Sequence, residues 1–213
     1  MAPRNHRQRE RRRKFGEASI EIIATHGLRA LTHRAVDETA GFPIGSVNYY
    51  APTRAKLLAL ALETVHEELQ TLAAESFGPL LGPGPHDQRT VVECGTNFVD
   101  TARRKGLAVV TARQMLLAEA QFYPELGELI ESHRRQLIEL SVVVGAPFEP
   151  ARPEEAATIV VALMDGLLQQ LVVGKYEAFT RPMIRLAMSR ICNIGSESSR
   201  LVGAEQVPVR NSA

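Results

Sequence analysis

Long apolar runs are scarce in this 213-residue chain. No window comes near the ~18 apolar residues that a membrane-spanning helix needs, so no span is expected. The first residues carry charge where a secretory signal would need an apolar stretch, which favours the cytoplasm over export. Cysteine is scarce too: Cys94 and Cys192 lie far apart and form neither a metal nor a redox motif. Two reduced thiols are therefore expected. Catalytic hallmarks are missing as well. His6, His26, His33, His66, His86 and His133 are scattered singly. No His-x3-His, Gly-rich phosphate loop, Gly-x-Ser-x-Gly elbow or pair of helical Glu-x-x-His motifs accompanies them, so no enzyme, metal site or cofactor is expected. Sustained period-two alternation is absent, which leaves strands unsupported and points to an all-α fold. There are no internal repeats.

Net charge is also low, at +1. That balance hides a split. Residues 1–58 hold 11 Lys and Arg against 5 Asp and Glu, while the remainder holds 14 against 19. Such asymmetry suggests a polyanionic partner for the front end alone. It is sharpest in Arg4, Arg7, Arg9, Arg11, Arg12, Arg13 and Lys14, which face only Glu10.

Periodicity places a first helix over about Arg9–Thr25, with Phe15, Ala18, Ile22 and Ile23 on one face and Gly27 as its stop. Thr32 is placed to cap a second helix that turns Ala35, Val36 and Ala40 inward. Gly41 permits a sharp turn, Phe42 plugs it from beneath, and a third helix is expected from about Ile44 to Tyr50 with Val47 facing in. Pro52-Thr53 opens a fourth helix running to about Ser76, with an apolar stripe from Leu57 to Leu72. Gly78–Pro85 reads as a connector and 145–153 as a second break. Between and beyond them lie expected helices near 87–105, 106–121, 124–144, 153–174 and 180–194. A frayed tail is expected from Gly195 onward.

Residues 31–50 thus carry the elements of a helix-turn-helix: small or apolar contacts, a glycine turn, and a second helix with an outward polar face. Ser46, Asn48, Tyr49 and Tyr50 can reach a base edge or a phosphate. Over residues 10–62 the chain resembles the TetR family of bacterial transcriptional regulators. The resemblance rests on Ala18, Gly27, Ala30-Leu31-Thr32, Val36…Ala40-Gly41, Gly45-Ser46-Val47-Asn48-Tyr49-Tyr50 and Lys56-Leu57-Leu58. It implies an N-terminal three-helix DNA-binding domain over 1–62 and a helical effector-binding and dimerisation domain over 63–195, with a tail over 196–213. It further implies a double-stranded, near-palindromic operator, a small-molecule effector that releases a repressor, and a homodimer. The DNA-facing set would be Thr32, His33, Arg34, Pro43, Ile44, Ser46, Asn48, Tyr49 and Tyr50, with Arg54 on a phosphate. Two positions depart from the family. Ala51 stands where an aromatic is usual, so that corner should pack less tightly. Asn48 replaces a common tyrosine and can pair with adenine.

In the second half, Phe98, Arg113, Met115, Phe122 and Met164 are the candidates for lining an effector pocket, against a default role in the core for the four apolar residues and on the solvent face for Arg113. Residues 158–173 are apolar around most of a helix, which must then be covered on more than one side. A two-fold partner offering that helix and 180–194 would complete a four-helix bundle. The alternatives are a core helix within one chain and, for function, a DNA-binding protein without effector that acts through a protein partner.

Overall fold

Residues 3–80, 87–145, 152–173 and 179–202 are described by a computed structural model. Eight α-helices and no strand occur among them: α1 (Pro3–His26), α2 (His33–Ala40), α3 (Arg54–Phe77), α4 (Gln88–Lys105), α5 (Leu107–Glu119), α6 (Pro124–Gly145), α7 (Pro153–Val173) and α8 (Arg181–Val202). The all-α fold expected from periodicity is therefore observed. Residues 81–86, 146–151 and 203–213 lie outside the described residues, and with them most of the two expected breaks and the end of the tail.

The caps explain the boundaries. Gly27, at φ 81°, follows α1, and its N–H still reaches the Ile23 carbonyl. The Thr32 hydroxyl accepts from the Ala35 N–H to start α2, and Thr53 does the same for Lys56 at the start of α3. Gly41, left-handed at φ 72°, closes α2.

Three boundaries differ from expectation. α1 begins at Pro3, so the basic segment continues the helix instead of forming a separate arm. α8 runs to Val202, past the expected end at 194 and into the expected tail. The third helix shrinks to a 3₁₀ turn over Val47–Tyr49, because Gly45 sits at φ 94°, where a right-handed helix cannot pass.

Two apolar clusters organise the bundle. The first gathers Phe15, Ile23, Leu31, Val36, Val47, Leu57 and Leu58 and extends through Ala112, Leu116 and Leu126 onto α5 and α6. The second joins Phe98, Val99 and Val110 to Leu168, Ile184 and Met188. α3 reaches both, since Leu72 and Phe77 pack on the second cluster. α1 and α3 cross closely at Gly16, where an added Cβ would fall 1.9 Å from the Thr64 hydroxyl oxygen.

No membrane-spanning stretch was expected, but α7 is long and apolar enough to be one. By length and composition it could cross a membrane, with mean hydropathy 1.8, because Asp165 and the two glutamines are outweighed in the average. A bundle helix passes the same test, and this one packs against α4, α5, α6 and α8. Only 17% of its apolar window is buried, however. Ile159 and Val173 on α7 and Met183 and Leu186 on α8 remain exposed.

Candidate nucleic-acid interface

Asp37 organises the turn between α2 and the 3₁₀ segment. It lies on the inward face of α2 beside Val36 and is fully buried. One carboxylate oxygen accepts from the Gly45 N–H at 2.7 Å, the other from the Val47 N–H at 2.8 Å. Its own carbonyl takes the Phe42 N–H at 2.9 Å. A carboxylate spanning two amides in this way fixes the entry of the 3₁₀ turn, and charge-assisted bonds of this kind are the strong ones. The Ser46 hydroxyl donates to the Pro43 carbonyl, and the Ala51 N–H closes on the Val47 carbonyl at 2.9 Å.

With Val47 buried beneath, the segment presents its other residues outward. Ile44 is 62% and Tyr49 76% exposed, and Pro43 and Asn48 are exposed beside them. Ser46 is partly covered. Tyr50 leans inward instead: its ring sits 5.4 Å from Phe15, which also contacts Phe42 at 4.8 Å. Tyr49 stands edge-on to Tyr50 at 5.0 Å. This ring cluster fills the corner that Ala51 was expected to leave loose, and Ala51 itself is fully buried. The Arg11 guanidinium lies over Phe42, which couples the basic face of α1 to the same corner.

The flanking candidates divide. Arg34 is exposed and pairs with Glu38 one turn on. Thr32 is exposed but occupied as the α2 cap. His33 is half-buried, with Nε2 2.7 Å from the Ala51 carbonyl oxygen, so it ties α2 to the end of the turn. Arg54 is committed inward: its guanidinium donates to the carbonyls of Leu31 and Leu28, the latter at 2.7 Å. Lys56, two residues further along α3, is exposed. On α1, Arg7, Arg9, Arg11, Arg13 and Lys14 are exposed, whereas Arg12 pairs with Glu63 of α3.

Sequence reasoning did not single out Asp37 or the anchoring of His33. A signal for Asp37 existed: a carboxylate on the inward face of α2, eight residues before a glycine in a tight turn.

The five effector candidates are not gathered into one site. Phe98 is in the second cluster against Phe77, at 5.8 Å, and Phe122 is 69% exposed. Met115 and Met164 are half-buried against different clusters. None lines either of two open clefts, about 210 Å³ between α1 and α2 and about 510 Å³ between α4 and α8.

Arg113 has a different setting. It donates to Asp165 of α7 at 2.8 Å and lies near His66 of α3, which stacks on His133 of α6 at 3.6 Å with planes 3° apart. Burial, then the charge of its neighbour His66, pushes the His133 imidazole down to about 4. Burial also lowers His66, against the opposing effect of its hydrogen bond to Gln136. Cys94 is buried and free, and burial pushes its thiol up, which keeps it protonated.

The profile of the tetracyclin repressor-like C-terminal domain matches residues 86–192. The chain is 29% identical over 128 residues to the HTH-type transcriptional repressor KstR of Mycolicibacterium smegmatis, covering 59% of this chain and 61% of that one. A transcriptional regulator from Rhodococcus sp. superposes with a TM-score of 0.72 at 21% identity, over 92% of this chain and 99% of the other. The multidrug binding protein EbrR, solved with imidazole, superposes at 0.64 with 21% identity, over 85% and 94%. With a matched C-terminal half and this fold, the chain belongs to the tetracyclin repressor-like (TetR) family of transcriptional regulators.

Proposed function

We propose that the chain is a sequence-specific DNA-binding repressor that acts as a homodimer in the cytoplasm and leaves its operator when a small molecule binds the helical half. The observation that carries the reading is the Ser46–Tyr50 turn: pinned by Asp37, seated on Val47, and presenting Asn48 and Tyr49 to solvent beside a basic helix. Asn48 has the groups to pair with an adenine edge, and Tyr49 and Arg34 reach a base or phosphate. Since Arg54 is held by backbone carbonyls, Lys56 takes over the phosphate contact at the start of α3.

The dimer is supported by the exposed apolar side chains of α7 and α8 and by the open space around Gly166, where an added Cβ meets nothing within 4 Å. Two such faces bury each other as a four-helix bundle, placing two recognition turns on one near-palindromic site. Release follows by linkage: an effector that prefers an arrangement with mis-spaced turns lowers operator affinity. α3 reaches both apolar clusters and is the lever.

The test is fluorescence anisotropy with inverted-repeat DNA from the chain's own promoter region. The wild type binds this DNA well above a scrambled duplex, and Tyr49→Ala loses at least tenfold. Equal affinity for both duplexes would overturn the reading.

A further inference from the structure

Two buried side-chain nitrogens lack a protein partner among the described residues, and both belong to one polar cluster: His66 Nε2 and Arg113 Nη1. They come from α3 and α5, and the groups around them from α6 (His133, Gln136) and α7 (Asp165). Arg113 Nη2 holds Asp165, the His66 ring lies on His133, and Gln136 bonds to His66. Native interiors rarely leave one such atom unpaired, and two within one cluster point to a ligand that bonds both.

We infer that His66 and Arg113 together hold the carboxylate of the effector, an amphipathic acid. This deepens the proposed effector release and rests on it. One carboxylate oxygen accepts from Arg113 Nη1 and the other from His66 Nε2–H, while the Gln136 amide turns to satisfy the remaining ring nitrogen. The Arg113 side chain is only 13% exposed, so the contact forms away from water, where a guanidinium–carboxylate bond is strong. Half-buried apolar side chains on the same helices are available to the apolar body: Val109, one turn before Arg113 on α5, Ile130 on α6 and Leu163 on α7. Seating the acid couples α3 to α5, and through Asp165 to α7. The signal therefore arrives on the helix that carries the DNA-binding head.

The probes are decanoate and decan-1-ol, matched in chain and different in head group. Calorimetric titration of the full-length protein should give at least tenfold tighter binding for the acid. Arg113→Lys keeps a cation on Asp165 but removes the unpaired nitrogen, and His66→Phe keeps the ring stack but removes Nε2. Each should bring the two probes to within about twofold, chiefly by weakening the acid. Equal binding of acid and alcohol by the wild type, no binding of either, or a preference for the acid that survives both substitutions would overturn the inference. Operator anisotropy, read separately, distinguishes the two proposals. A selective site that does not release DNA defeats the release mechanism alone, and release by some other compound without acid selectivity defeats this site alone.

Discussion

Asp37 and Tyr50 act on the interface without facing DNA. Removing the Asp37 carboxylate strands two amide donors, one of them at the fully buried Val47. Asp37→Ala should therefore cost about 2–3 kcal/mol in urea unfolding and abolish operator binding. Tyr50→Ala should cost about 1–3 kcal/mol through lost packing on Phe15, whereas Tyr49→Ala should stay within about 0.5 kcal/mol because that ring is in solvent. A stability loss at Tyr49 equal to that at Tyr50 would show that both rings are structural. The sequence exposed two tyrosines and their polar company. It did not reveal which one turns inward, because that depends on Phe15, thirty-five residues away. Asp37 was hidden for a related reason: charge suggests solvent until the backbone amides that neutralise its burial cost are in place.

Elements were legible where an apolar stripe or a capping residue marks them locally. The stripes that define α3 to α7 are local in sequence, and capping residues mark helix starts directly, Thr32 for α2 and Thr53 for α3. The short third helix was not legible, since positive φ at Gly45 and a carboxylate from another helix decide its length. Contacts between elements were hidden too, and the His66–His133 stack between α3 and α6 is the clearest case. Its burial holds His133 down at about 4, while an unfolded histidine titrates near pH 6.5. Between those values the unfolded chain binds the additional proton, so stability falls as pH drops from about 6.5 towards 4. Native-state thermal melts should show Tm declining across that window. The decline should be shallower in His133→Phe, which keeps a stacked ring without the proton site. A variant profile identical to the wild type would place the acid sensitivity in that window elsewhere, with His66, also lowered by burial, next in line. Burial alone would raise Asp100, but Arg103, Arg104 and Arg181 together hold it low, and that support is lost at more acid pH.

At the scale of the whole molecule, the charge split gives the proposed interface a measurable signature. Each phosphate neutralised releases condensed counterions, so log K falls against log salt with a slope near −0.9 per contact. The basic residues ahead of Phe15 continue α1, which is anchored at Phe15 and Ile23 in the first apolar cluster. Their position relative to the recognition turn is therefore set by a helix, and they reach only phosphates lying along its axis. Deleting residues 1–10 removes Arg4, Arg7 and Arg9 but leaves that anchorage intact. The slope should become shallower by up to about 3 per protomer, with affinity falling for operator and scrambled DNA alike. Specificity, the ratio of the two affinities, should hold, because Asn48 and Tyr49 are untouched. If the slope is unchanged, the basic end of α1 points away from the duplex, and the front-end charge excess serves something other than DNA. If operator affinity falls while scrambled DNA is unaffected, the segment reads bases, and the division between a phosphate-binding helix and a base-reading turn fails.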